Sequence, residues 1–157
     1  MPESIEKARA QALHLLKFRV RSEEELRQRL ERKGVSAPLI QTLLEDFKKK
    51  GFIDDAKFAR YAANQQMFSK PVSRRALLMK LKTKGVSSAL AAQAVEQATE
   101  GQNDLEVARE LAKARLSRLK GLSSEAVQRR LFGFLGRRGF SSDVVYRVVR
   151  EVSQGFE

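Results

Sequence analysis

Catalytic chemistry has few places to start in this chain. Its one histidine, His14, lies between apolar neighbours on an expected helix. With no carboxylate or nucleophile at a matching spacing, it reads as a packing or surface residue. Asp54 and Asp55 are adjacent carboxylates, a pairing found in metal ligation, but two acids opening a helix serve its free amides and its positive dipole end. Asn103-Asp104 stands in the equivalent place further along, which favours the same capping role. No Ser/His/Asp arrangement, phosphate-cradling glycine loop or zinc-ligand spacing occurs. There is no cysteine, so disulfides and thiolate metal sites are excluded and a reducing compartment is favoured. The expectation is a protein without catalytic residues, cofactor or metal.

Charge is the chemistry that remains. The chain carries 31 Lys+Arg against 19 Asp+Glu, a net charge of +12. Ala56 to Val95 contains no acid, while Lys57, Arg60, Lys70, Arg74, Arg75, Lys80, Lys82 and Lys84 accumulate there. A second stretch, Arg109 to Arg138, holds nine basic and two acidic residues. Such tracts draw polyanions by counterion release and steer encounter; the plainer alternative is a solvated helix face. Lys33, Lys84 and Arg138 fit helix ends. Arg74, Arg75, Lys80 and Lys82 have no such duty and are the first candidates for contact with nucleic acid or an acidic partner. Arg75 and Lys82 are seven apart and share a helix face away from Leu77 and Leu81. Arg115, Arg118, Arg129 and Arg130 form the second set.

The elements that must position these cations are given by repetition. Ser22-Glu-Glu-Glu-Leu26, Leu30 and Lys33-Gly34-Val35-Ser36 recur as Ser73-Arg-Arg-Ala-Leu77, Leu81 and Lys84-Gly85-Val86-Ser87. Val127, Leu131, Leu135 and Arg138-Gly139-Phe140-Ser141 repeat the pattern more loosely, the glycines lying 51 and 54 residues apart. A fixed period of this length marks a tandem array of one supersecondary unit. After each glycine runs an apolar stripe at helical spacing: Leu39, Ile40, Leu43, Leu44 and Phe47; Leu90, Ala91, Ala94, Val95 and Ala98; Val144, Val145, Val148, Val149 and Val152. Each stripe runs to a further glycine, Gly51, Gly101 or Gly155, and an Ala-Arg pair at 8–9, 59–60 and 108–109 marks a third helix per unit. Three three-helix repeats follow, over 1–51, 52–101 and 102–157, each with a net charge of +4.

Boundary residues agree. Most glycines stand just past a helix end, where a left-handed residue is wanted, with basic residues before them. Ser22 to Glu25 fits a capping box. Ser36, Ser87 and Ser141 stand at N-cap positions, and Pro38 falls in a first turn. Pro71 should stop the helix that opens near Asp54. Gly133 and Gly136 lie inside an expected helix, marking a break or a close approach. The β-branched Val144-Val145 and Val148-Val149 keep helical spacing, so no strand is expected. The fold class is all-α, an elongated, curved array with a thin core spread over its units. No apolar run reaches membrane-spanning length and the N-terminus has no signal-peptide core; a cytoplasmic monomer is expected.

The motifs Arg21-Ser-x-x-Glu-Leu-x-x-Arg-Leu-x-x-Lys-Gly34, Gly51-Phe-Ile-Asp-Asp-x-x-Phe-Ala59 and Leu81-x-x-Lys-Gly-Val86 together resemble the RecX family of bacterial recombination regulators. The resemblance runs from about Ala8 to Val152. It implies a modulator of the RecA recombinase that lies along the groove of the RecA–DNA filament, suppresses ATPase and strand exchange, promotes filament loss, and also binds single- and double-stranded DNA. Two other readings are a sequence-nonspecific architectural DNA binder and a helix-turn-helix transcription factor. The latter requires a base-reading recognition helix and usually a dimer, against which three equally basic repeats count.

Overall fold

The computed structural model describes residues 4–154, and nine α-helices and no strand occupy them. In order they are α1 (Ile5–Phe18), α2 (Glu23–Arg32), α3 (Ala37–Lys49), α4 (Asp55–Ser69), α5 (Arg74–Thr83), α6 (Ser88–Ala98), α7 (Asp104–Leu116), α8 (Ser124–Arg137) and α9 (Ser142–Ser153). Three helices fall in each repeat. Contacts divide the chain differently, into two compact units: residues up to Ala63 with Lys80–Ala94, and Asn64–Met79 with the residues from Val95 on. The middle repeat contributes to both.

Local chemistry accounts for the helix limits. Ser22 and Glu25 form the reciprocal capping box, and Asn103 with Glu106 forms another at α7. Asp54 Oδ1 accepts from the amides of Ala56 and Lys57 at 3.0 and 3.2 Å, so it is the cap expected of it. The hydroxyls of Ser87 and Ser141 accept from Leu90 and Val144. Ser36 precedes α3 but makes no side-chain cap bond; Pro38 has removed one of the amides such a cap serves. α4 ends at Ser69, two residues before Pro71. Gly34, Gly51, Gly85, Gly101, Gly121 and Gly139 all have positive φ, and Gly155 lies outside the described residues. Gly133 and Gly136 do not break α8, which runs through both.

The predicted stripes form the cores. In the first unit Leu26, Leu30, Leu43, Leu44 and Phe47 are fully buried with Ala8 and Ala12. In the second, Leu131, Leu135 and Val148 hold the offsets of Leu26, Leu30 and Leu43 from their glycine and are fully buried with Ala108 and Ala112. The Ala-Arg pairs acquire a reason. Ala8, Ala59 and Ala108 are each completely buried, letting their helices approach closely. The arginine that follows crosses to the third helix of its repeat: Arg9 pairs with Asp46 at 3.5 Å, and Arg109 with Glu151 at 2.7 Å.

One device occurs twice, once in each unit. Asp55, the first residue of α4, accepts the Glu23 amide at 2.9 Å, capping α2 from the next repeat. Asp104, the first residue of α7, accepts the Arg74 amide at 2.9 Å, capping α5 likewise. Burial pushes the Asp55 carboxyl above its ordinary value, against the pull of the Glu23 amide. A second link runs beside the first. The Ser22 hydroxyl donates to the Lys84 carbonyl, and the Ser73 amide donates to the Arg138 carbonyl at 2.9 Å. The start of one repeat's middle helix therefore rests on the end of the next one's. Gly85 and Gly139 sit at those ends. A Cβ on Gly85 would overlap the Cβ of Glu24 in the first turn of α2; one on Gly139 would lie 2.8 Å from Ala76 Cβ and 2.9 Å from Ser73 Oγ.

Candidate polyanion interface

The eight cations singled out by sequence have different fates. Arg74 is committed to structure. Its guanidinium donates to Thr99 Oγ1 at 2.6 Å and to the Gln102 carbonyl at 2.9 Å, and it pairs with Glu96. The expectation that Arg74 has no structural duty is thus corrected: the residues it serves lie in α6 and the turn before α7, well beyond its own helix. Arg75, Lys80 and Lys82 are exposed, with no side-chain partner among the described residues. Arg74 and Arg75 belong to the second unit, Lys80 and Lys82 to the first.

The second set is brought together more closely. Arg115 of α7 and Arg129 and Arg130 of α8 line one cleft of about 270 Å³, with Leu119, Gly133 and Arg137. Arg118 is exposed and not part of it. No carboxylate lines the cleft, and none of these four arginines has a hydrogen bond or ion pair to a described side chain. Arg137 is a member the sequence did not suggest. Residues 129, 133 and 137 recur every four positions on one helix face, and the Arg137 guanidinium lies over Gly133, where a Cβ would stand 2.9 Å from its Nη1. Of the break or close approach expected at Gly133, the structure shows no break and places this guanidinium over the glycine.

Beneath this cluster lies Phe134. The guanidinium carbons of Arg115 and Arg138 both stand 4.7 Å from its ring centroid, within cation–π range. Arg138 also donates to the Pro71 carbonyl at 2.8 Å. Its pKa is pushed down by burial and then by the positive charges of Arg115 and Arg137. Burial is the larger cause; the like charges add to it, and an arriving phosphate or carboxylate would offset that second part. A planar guanidinium offers paired donors to either anion.

Arg60 is a further cation, counted in the basic tract of the sequence but not singled out there for contact. Asp46 and Glu151, which hold Arg9 and Arg109, each lie twelve residues past the glycine of their repeat; the same position in the middle repeat is Gln97. Arg60 is exposed and has no described side-chain partner. The signal was present in the alignment of repeats, as a lost acid rather than a gained base. His14 is exposed and stacks edge-on against Phe18 at 5.0 Å. Among the described residues no three ligating side chains gather to hold a metal, and no helix is long and apolar enough to cross a membrane.

Family models described as the first, second and third three-helix domains of RecX match residues 8–47, 54–95 and 102–149. The chain is similar to the regulatory protein RecX of Amycolatopsis mediterranei, 36% identical over 149 residues, 95% of this chain and 85% of the relative. It is also similar to that of a Thermotoga species, 35% identical over 93% of this chain and 84% of the relative. The crystal structure of RecX from Lactobacillus salivarius shares the fold, with a TM-score of 0.73 at 21% identity, covering 96% of this chain and 97% of that one.

Proposed function

The chain belongs to the RecX family, and from that premise we propose that it is a non-catalytic regulator, mainly an inhibitor, of the RecA recombinase. It lies in the groove of the RecA–DNA filament, lowers ATP hydrolysis and strand exchange, and contacts DNA directly. The observation that carries the reading is the match of all three domains in order along the chain. Charge supports it: each repeat has the same net excess, and the arginine cleft of α7 and α8 has no carboxylate in its lining. Repeating basic units suit a target that itself repeats.

The test is the DNA-dependent ATPase of RecA on single-stranded DNA. Added protein should lower it while turning over no nucleotide alone. Reversing charge at Arg129, Arg130 and Arg137 together should weaken direct DNA binding and flatten its salt dependence, by about 0.9 in log–log slope per lost duplex phosphate contact. Unchanged ATPase and strand exchange at saturating protein would overturn the regulatory reading. An unchanged salt slope would move the DNA contact to another face.

A further inference from the structure

α8 carries a second feature beside the arginine cleft. Gln128, Phe132 and Gly136 form the neighbouring row of residues four apart, about 100° round the helix from the row of Arg129, Gly133 and Arg137. On this side Phe132 meets Tyr146 of α9 edge to face, with centroids 5.1 Å apart. Two depressions share that aromatic pair. One, of about 430 Å³, is completed by Gln128, Val149 and Arg150; the other, of about 190 Å³, by Gly136 and the start of α9. Tyr146 is 67% exposed, although α9 buries all four of its core valines. Packing does not account for the ring.

The charge around this groove is one-sided. Arg150 is the charged residue of its lining, and Arg129 and Arg137 of the cleft stand on the adjacent row. Asp143, one turn before Tyr146, lines neither depression. An aromatic face with a neighbouring amide and guanidinium, beside an unneutralised cation row, matches a nucleotide whose base is free to stack. A base within a duplex has its faces covered by neighbours and cannot use the ring.

We propose that the Phe132–Tyr146 groove is a stacking site for an unpaired nucleobase of single-stranded DNA whose phosphates run over the arginines of α8. The inference rests on the direct DNA contact proposed above and adds to it a strand preference and a site. Gln128 and Arg150 face the edge of the base, Val149 forms the floor, and the phosphates on either side reach the Arg129–Arg137 row.

The test compares oligothymidylate, an abasic oligomer of equal length with the same phosphates, and a duplex, each binding the full chain. Tyr146→Ala should weaken oligothymidylate binding roughly 5- to 150-fold, the range for loss of one stacked base. Abasic and duplex binding should stay unchanged, and Tyr146→Phe should retain most of the affinity. The chain has no tryptophan and two tyrosines, so a Tyr61→Phe protein reports Tyr146 alone; its emission should be quenched by oligothymidylate and not by the abasic oligomer. Equal loss on both oligomers, or unquenched emission at saturation, overturns the stacking site while leaving the arginine contact standing. Loss of RecA inhibition by Tyr146→Ala with oligothymidylate binding intact would assign the groove to a protein partner, and also overturns it. Absence of binding to all three ligands would remove the DNA contact and this site together.

Discussion

Alanine at Gly34 and at Gly85 tests the contact between successive repeats, because the two glycines have the same backbone and different surroundings. Their φ values are +86° and +91°, so each substitution forces an L-residue into the left-handed region, at about 1 kcal/mol. At Gly34 nothing else opposes the new methyl, since no atom lies within 4 Å. At Gly85 the methyl would overlap Glu24 Cβ and lie 2.9 Å from its Cγ and 3.6 Å from its Cα. Cγ can swing away, but Cβ and Cα are fixed to the first turn of α2. Relief then requires that turn to move, which strains the Ser22–Lys84 bond, and overpacking of this kind costs about 1–3 kcal/mol. The expected losses are therefore about 1 kcal/mol for Gly34→Ala and about 2–4 kcal/mol for Gly85→Ala. Urea unfolding followed by circular dichroism measures both, and at a slope near 2 kcal/mol/M the two midpoints should differ by roughly 1 M. Glu24→Gly in the Gly85→Ala background should recover part of the difference, whereas Glu24→Ala, which keeps the Cβ, should not. Equal midpoints for the two alanine variants would refute the close approach, and rescue by Glu24→Ala would place the clash in the long side chain instead.

Arg74→Ala should destabilise by about 1–3 kcal/mol, because it leaves the buried Thr99 hydroxyl and the Gln102 carbonyl without their donor. Arg75→Ala on the same helix should stay within about 0.5 kcal/mol, and thermal melts of the pair check this. For pH, burial raises the Glu25 carboxyl, but the Arg19 hydrogen bond and charge, the Ser22 amide and Lys84 outweigh it and hold the pKa below 4.5. A depressed carboxylate contributes stability above its unfolded value that is lost as pH falls through the folded one. Glu25→Gln should therefore be less stable than the parent at neutral pH, and the gap should close as acid is added below pH 4.5. A gap that widens in acid would reverse the assignment.

The repeat was legible because glycine, leucine and serine recur at fixed offsets, and those offsets dictate helix, cap and core in each unit alike. What a repeat does not reveal is which equivalent positions touch. Nothing in Asp55 or Asp104 announces that the carboxylate caps a helix of the preceding repeat while Asp54 and Asn103 cap its own. Arg74 looked free because the acceptors of its guanidinium are 22 to 28 residues away. In the sequence Gly133 reads as a break or a close approach, because a glycine inside a helix leaves both open; α8 runs through it and the Arg137 guanidinium lies over it. The basic cleft was half visible. Arg115, Arg129 and Arg130 stood out by density of charge, and Arg137 needed the face of α8 to be known.

The aspartate caps have a consequence for the order in which the chain is made. The amide that opens α2 waits for Asp55, and the amide that opens α5 waits for Asp104. A ribosome adding 5–20 residues per second delivers Asp55 roughly 2–6 s after Glu23. Until then the first repeat has an open donor at its middle helix, and the Lys84 carbonyl that engages Ser22 arrives later still. The first and second repeats are thus each finished by the one that follows, so that their maturation on the ribosome trails synthesis by one repeat. A nascent chain stalled between Asp55 and Asp104 would hold α2 with its first amide bonded and α5 with its first amide open beside the Ser73 cap, which a pulse of protease would tell apart.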